Sequence, residues 1–139
     1  MRFLLDTCAL SELTKPAPNA GVAQWFAQQD ELALYVPSLA LGELKRGIER
    51  LDDGQRKRYL QNWLATHVVR RFADRVLPLS AEVALRWGAL QAALESQGKP
   101  LATIDGLIAA TALHHNLTVV TRNTRDMEAS GATLLNPWV

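Results

Sequence analysis

Three carboxylates stand where a folding chain would ordinarily avoid them. Asp6 ends the apolar run Phe3-Leu4-Leu5. Glu43 lies between Leu41 and Leu44, and Asp105 sits in a segment, Ile104 to Leu113, with scarcely another polar side chain. A buried carboxylate costs several kcal/mol unless something pairs with it. Carboxylates gathered at one place also repel and raise each other's pKa, a cost that a hard divalent cation removes. Mg²⁺ takes one or two carboxylates together with waters and phosphate oxygens. The chemistry that such a set suits is metal-assisted hydrolysis of a phosphodiester. Singly, each acid has a plainer explanation. Asp6 and Asp105 suit the first turn of a helix, where the dipole favours them, and Glu43 suits a solvated helix face. The case rests on their meeting.

The elements that would bring them together can be read from the hydrophobic pattern. Phe3 to Leu5 is a short continuous apolar run, the mark of a strand buried on both faces. Thr7 is placed to cap a helix running to about Lys15, which Pro16 stops. A second helix fits Ala20 to Gln29, with Val22, Trp25 and Phe26 on one face. A strand over Leu32 to Val36 leads through Pro37-Ser38 into a helix carrying Leu41, Leu44 and Ile48, with Glu43 in its second turn. A basic amphipathic stretch runs from Gly54 to Phe72. A third strand follows at Arg75 to Leu79. Ser80 caps a helix to about Gln97, broken by Gly98-Lys99-Pro100. Thr103 caps a helix through Asn116, with Ile104, Leu107, Ile108 and Thr111 along its inner stripe. Strands are expected at Leu117 to Thr121 and Thr133 to Leu135, with a short helix at Thr124 to Ala129 between them. Strands alternating with helices make an α/β fold with a mostly parallel sheet covered on both faces. Sites in such sheets form at the carboxyl ends of the strands, where Asp6 and Asn123 both fall.

The 139 residues suffice for one domain with a real core, and no repeat, linker or low-complexity tract divides residues 1–139. Hydrophobic residues make up 48%, which points to a folded globular chain and away from a disordered one. A net charge of +1 neither demands nor excludes a nucleic-acid partner, so distribution decides. Residues 45 to 75 carry nine Lys and Arg against four Asp and Glu. Lys45 and Arg46 lie just after Glu43, so this stretch is a candidate phosphate-binding rim or simply a solvated face. Cys8 is the single cysteine, which precludes an internal disulfide and fits a reducing cytosol. Asp6 interrupts the first apolar run after three residues, and no later run reaches membrane-spanning length, so a soluble cytoplasmic protein with no membrane partner is expected.

The segments LLDTCALSEL, SLALGELKRGI, IDGLIAATALHHNLTVVTRN and the terminal LLNPW together resemble a PIN-domain ribonuclease, in particular the VapC-type and FitB-type toxins of bacterial toxin–antitoxin pairs. The resemblance spans essentially the whole chain in the expected order. It implies a PIN-like three-layer α/β/α sandwich around a five-stranded sheet. It implies a Mg²⁺- or Mn²⁺-dependent endoribonuclease that leaves 5′-phosphate and 3′-hydroxyl ends, the toxin of a type II pair. Asp6, Glu43 and Asp105 match the first three acidic positions. On this reading Asp6 and Asp105 ligate the metal, and Glu43 ligates it or orients the attacking water. The fourth acidic position falls on Asn123, an amide, which makes one metal ion a better expectation than two. Asp126 is the nearest replacement acid, and Thr121 is placed to bond a metal-held water or simply to serve as a strand hydroxyl. Cys8 stands where many relatives place asparagine and is read as a small buried residue.

The resemblance further implies a homodimer and a cognate antitoxin whose tail occupies the toxin's groove, with RNA as substrate. Nothing in the chain reads as a DNA-binding motif, so no direct DNA contact is expected, and any such contact is assigned to the antitoxin. Trp25 and Trp87 fit helix stripes. Trp63 and Trp138 remain open between packing and an interface. Two other doubly wound enzymes are excluded by their motifs. A haloacid-dehalogenase-like enzyme needs Asp-x-Asp after the first strand, where this chain has Cys8, and a receiver domain needs an aspartate where Arg75 to Ser80 ends in serine. The alternative is a catalytically degenerate PIN-like module that binds antitoxin or RNA without cleaving, for which Asn123 would be the reason.

Overall fold

A computed structural model describes residues 1–139. Five strands form one parallel sheet: β1 (Phe3–Leu5), β2 (Leu34–Pro37), β3 (Val76–Leu77), β4 (Thr118–Val120) and β5 (Leu134–Leu135), in the order β3-β2-β1-β4-β5. β1 therefore lies at the centre, flanked by β2 and β4, with Leu5 in register with Val120. Side chains alternate across a strand, and here the alternation feeds two cores. Phe3 and Leu5 face a large cluster with Leu34, Val36, Leu44, Ile48 and Phe72. Leu4 faces the other side, with Val119, Ile108, Ala112 and Met127.

The helices are α1 (Thr7–Glu12), α2 (Ala20–Ala27), α3 (Ser38–Glu49), α4 (Gln55–Asn62), α5 (Val69–Arg71), α6 (Ala81–Ser96), α7 (Thr103–His115) and α8 (Thr124–Met127). The expected three-layer sandwich is the fold observed. No helix is long and apolar enough to cross a membrane.

Several boundaries correct the sequence reading. Thr7 does not cap α1. Asp6 does, in extended backbone, with Oδ1 accepting from the Thr7 N–H at 2.7 Å. α7 begins after Ala102 with no side-chain cap, and Thr103 is its first residue. β2 starts at Leu34, because Glu31–Ala33 forms a 3₁₀ turn capped by Asp30. β3 shrinks to Val76–Leu77. Arg75 turns its guanidinium inward onto the carbonyls of Glu31, Leu34 and Arg71, and Pro78 has no N–H to extend the ladder. The basic stretch is one continuous rod in which Trp63–Val68 is wound as a π-helix between α4 and α5.

Two glycines set how closely the layers approach. A Cβ at Gly106 would stand 2.9 Å from Trp87 Nε1, so the α6 indole lies directly on the α7 backbone. A Cβ at Gly21 would stand 2.6 Å from the Pro137 carbonyl oxygen, so α2 leaves room for the C-terminal segment.

Candidate active site

The carboxyl ends of β1, β2 and β4 open into one cleft of about 370 Å³. Asp6 leaves β1 directly, Glu43 comes from α3 after β2, and Asp105 comes from the first turn of α7. All three line the cleft, with Cys8, Arg122 and Asn123 beside them. Residues 99 positions apart in sequence (Asp6 and Asp105) are thus brought to one place by the crossover topology.

Asp6 is held most tightly. It is only 4% exposed. Its Oδ1 accepts from Thr7 N, and its Oδ2 accepts from the Thr121 hydroxyl at 2.8 Å. The Thr121 hydroxyl in turn accepts from Asn123 N–H at 3.0 Å. Burial pushes the Asp6 carboxyl above the usual aspartate range. The Thr121 and Thr7 bonds oppose this, and the nearby Glu43 charge adds to it. Asp105 is raised as well, first by burial and then by the charges of Asp6, Asp126 and Glu43. These directions report what the sequence argument requires: negative charges crowded into a shielded place.

Glu43 is oriented from α1. The Thr7 hydroxyl, free of a capping role, donates to Glu43 Oε1 at 2.6 Å. Cys8 is half-buried and faces the cleft, not the core, which corrects the expectation of a small buried residue. Its sulfur accepts from Arg122 N–H at 3.4 Å and lies 3.8 Å from Asp6 Oδ2. Burial and the Asp6 charge push its thiol up, away from the thiolate that a nucleophile needs.

The fourth-position candidates part company. Asn123 is exposed and lines the acid cleft. Asp126, on α8, lines the adjoining cavity of about 580 Å³ on the other side of Asp105, with Lys99 and Arg125. Arg46 lines a groove with Glu43 and Ile104, whereas Lys45 is turned to Glu49 at 2.9 Å. His114 and His115 lie at the far end of α7, away from the cleft.

Two features of the cleft escaped the sequence reading. Glu12 is 4% exposed, although a Glu three residues before Lys15 reads as a solvated pair. Its oxygens accept from Asn19 N–H at 3.0 Å, Lys15 Nζ at 3.1 Å and Trp138 Nε1 at 3.2 Å, which hold its carboxyl below the usual range. Arg122 reads in sequence as part of the segment that follows the fourth strand, and its guanidinium lies over the Trp138 ring. No local pattern joins positions 12 and 138.

No group of three or more His, Cys, Asp and Glu side chains closes on a point tightly enough to cage a metal alone. The donors at the cleft nevertheless fit a hard cation. They are carboxylates, two of them raised first by burial and then by neighbouring charges, and Mg²⁺ requires only one or two carboxylates with waters.

Comparison with known proteins agrees with this geometry. The PIN domain family model matches residues 3–130. The chain is 36% identical over 136 residues to VapC ribonuclease Y4jK of Sinorhizobium fredii, covering 98% of this chain and 97% of that one. It is likewise 36% identical to toxin FitB of Neisseria gonorrhoeae, over 98% of both chains. The solved FitAcB structure from Neisseria gonorrhoeae superposes with a TM-score of 0.93 at 35% identity, covering 98% of each chain. A FitAB structure bound to an IR36 DNA fragment gives a TM-score of 0.93 at 33% identity, over 99% of this chain and 96% of that one. Because that neighbouring assembly carries DNA, the expectation of no direct DNA contact is not borne out. The match over nearly the whole chain, with the three acids at one strand edge, places this chain in the PIN-domain family, among proteins of the VapC and FitB type.

Proposed function

We propose that the chain is a metal-dependent endoribonuclease, the toxin of a type II toxin–antitoxin pair, and that Asp6, Glu43 and Asp105 are its catalytic carboxylates. The observation that carries the reading is the meeting of these acids from the end of β1, from α3 and from α7 in one cleft, with Asp6 and Asp105 both raised first by burial and then by neighbouring carboxylates. Asp6 and Asp105 would hold Mg²⁺ or Mn²⁺. The ion, when bound, supplies Lewis-acid stabilisation of the charge that develops on the phosphate and the leaving oxygen. The rest is done by the chain. Thr121 and the Thr7 N–H fix the orientation of the Asp6 carboxylate. Thr7 aims Glu43, whose free oxygen is placed to orient a water and take its proton. Asn123 contributes a neutral amide at the rim, which supports one ion over two.

The VapC relatives are named as ribonucleases or as a tRNA(fMet)-specific endonuclease, FitB is named a toxin, and a structural neighbour is named a toxin-antitoxin complex. These names support RNA as substrate and a cognate antitoxin as partner. A homodimer in the cytoplasm completes the reading.

The test is incubation of purified, antitoxin-free protein with total RNA in Mg²⁺, in Mn²⁺ and in EDTA, beside Asp6→Asn and Asp105→Asn. Defined cuts that need metal and are lost in both variants are expected. Metal binding seen by calorimetry without cleavage would instead favour a degenerate binding module, the reading that Asn123 supports.

A further inference from the structure

The cleft contains an arrangement that catalysis does not use. Its floor is acidic, and a phosphodiester must cross it. Six charged groups line it: Asp6, Glu12, Glu43 and Asp105 against Lys15 and Arg122. Lys15 is tied to Glu12 at 3.1 Å. Arg122 forms no ion pair, is exposed, and lies with its guanidinium carbon 5.8 Å from the centre of the Trp138 ring.

The ring is itself fixed in several ways. Its Nε1–H donates to the buried carboxylate of Glu12, and its backbone N–H donates to Asn136 Oδ1 at 2.9 Å. Its inner edge packs on the large core, and Gly21 leaves the room that the preceding Pro137 carbonyl takes. The backbone of Arg122 is held by its N–H to Cys8. A buried glutamate is thus retained on α1, and what it holds is an indole at the mouth of the cleft. A planar cation carried on an aromatic face, beside the site of cleavage, has the chemistry for one kind of ligand. Unpaired bases stack on guanidinium planes and aromatic rings, while the same guanidinium binds phosphate oxygens.

Resting on the ribonuclease reading above, we propose that Arg122, mounted on Trp138 by Glu12, is a strand-binding site for single-stranded RNA. It takes the backbone phosphate next to the scissile one and stacks the adjoining unpaired base. Arg122 and Trp138 are binding and positioning residues, and Glu12 acts through Trp138.

The experiment uses the full chain with Asp105→Asn as the uncleaving parent. Its affinity for a fluorescein-labelled single-stranded RNA 12-mer, and for the same sequence as a duplex, is read by anisotropy in Mg²⁺ over a salt series. Arg122→Gln and Trp138→Ala should each weaken single-strand binding about tenfold, the scale of one lost stacked base. Arg122→Gln should also reduce the salt slope by about 0.7, one phosphate contact on a single strand. Arg122→Lys should keep the slope and lose part of the affinity. Trp138→Phe keeps a ring but loses the Glu12 bond, and should fall between the parent and Trp138→Ala. It also serves where Trp138→Ala does not fold. In the cleaving protein, Arg122→Gln should raise KM more than it lowers kcat. Unchanged affinity with a lowered melting temperature would make the pair merely structural, and preference for duplex would overturn the single-strand assignment. Wild type that cuts RNA while Arg122→Gln keeps its KM sinks this proposal alone. Wild type that neither binds nor cuts RNA sinks the ribonuclease reading with it.

Discussion

Asp6 performs two tasks with its two oxygens: Oδ1 caps α1, and Oδ2 accepts from Thr121. Asparagine keeps the cap and the shape and carries no charge, while its Nδ2 cannot accept from Thr121, whose hydroxyl must turn to accept from the amide instead. The sign follows from the raised carboxyl. A group that binds its proton more tightly when folded stabilises the fold at low pH. That stability is lost as pH rises from the ordinary aspartate value through the raised one. In EDTA at pH 7 the Asn variant should therefore melt higher than wild type by a few degrees, roughly 2–4 °C for each kcal/mol relieved in a chain of this size. The gap should close toward pH 3. Mg²⁺ should then raise the melting temperature of wild type and leave that of the variant. An equal Mg²⁺ shift in both would remove Asp6 from the metal site. Glu43 offers a second check. Thr7→Val removes the 2.6 Å bond that aims it without touching the cap, which uses the Thr7 backbone N–H. Cleavage should drop about tenfold in kcat, less than the roughly 10²- to 10⁴-fold a general base contributes because Glu43 itself stays in the cleft, and Thr7→Ser should restore most of it. A Thr7→Val enzyme with wild-type kcat would show that Glu43 needs no such guide.

At the scale of elements, α7 must be placed to a fraction of an ångström, because Asp105 rides on its first turn. Gly106 sets that placement. Its missing Cβ lets the Trp87 ring sit against the helix, with 2.9 Å to Nε1 and 3.1 Å to Cδ1. The indole is a rigid edge, so Gly106→Ala must push α6 and α7 apart. The expected loss is about 1–3 kcal/mol by urea denaturation, against which the better helix propensity of alanine offsets under 1 kcal/mol. Cleavage should fall with it while RNA affinity holds. A variant as stable as wild type would mean that the layers slide freely there. The sequence shows α7 clearly, from its unbroken apolar run, and shows β1 for the same reason. It shows the alternation of strands and helices, and hence the strand edge where Asp6, Glu43 and Asp105 meet. It misplaces what depends on partners far away. The cap passes from Thr7 to Asp6 because the Thr7 hydroxyl is taken by Glu43, 36 residues on. The third strand is cut short where the Arg75 backbone N–H turns back to the Phe72 carbonyl, while its guanidinium bonds carbonyls some 41 to 44 positions earlier. The π-wound turns at Trp63–Val68 satisfy the same apolar spacing as an α-helix, so periodicity cannot tell them apart. Glu12 and Trp138 are 126 residues apart, and only the folded chain joins them.

Over the whole molecule, a near-neutral protein has to hold a polyanion above an acidic floor, so the placement of its free cations, and not their number, decides the outcome. Of the nine basic residues between positions 45 and 75, four are tied into ion pairs. Lys45 bonds Glu49, Lys57 bonds Asp53, and Arg71 and Arg75 share Glu31. Arg46 belongs to the same stretch and carries the same charge, but it lines the groove beside Glu43. Charge count treats Lys45 and Arg46 alike, whereas placement separates them. Each phosphate contact on a single strand contributes a salt slope of about 0.7, and a surface charge that meets no phosphate contributes almost nothing at physiological ionic strength. Arg46→Gln should therefore raise KM several-fold at 0.15 M salt and flatten the dependence of log KM on log salt by about 0.7. Lys45→Gln should leave both near wild type. Steady-state cleavage of one RNA across 0.05–0.4 M KCl measures the two together. Equal losses in both variants would mean that RNA responds to the field of the whole basic stretch, and the strand would then have to lie along α3 and α4. A loss confined to Arg46 would run the strand across the carboxyl edge of the sheet, where α3 hands it over the acids toward β4.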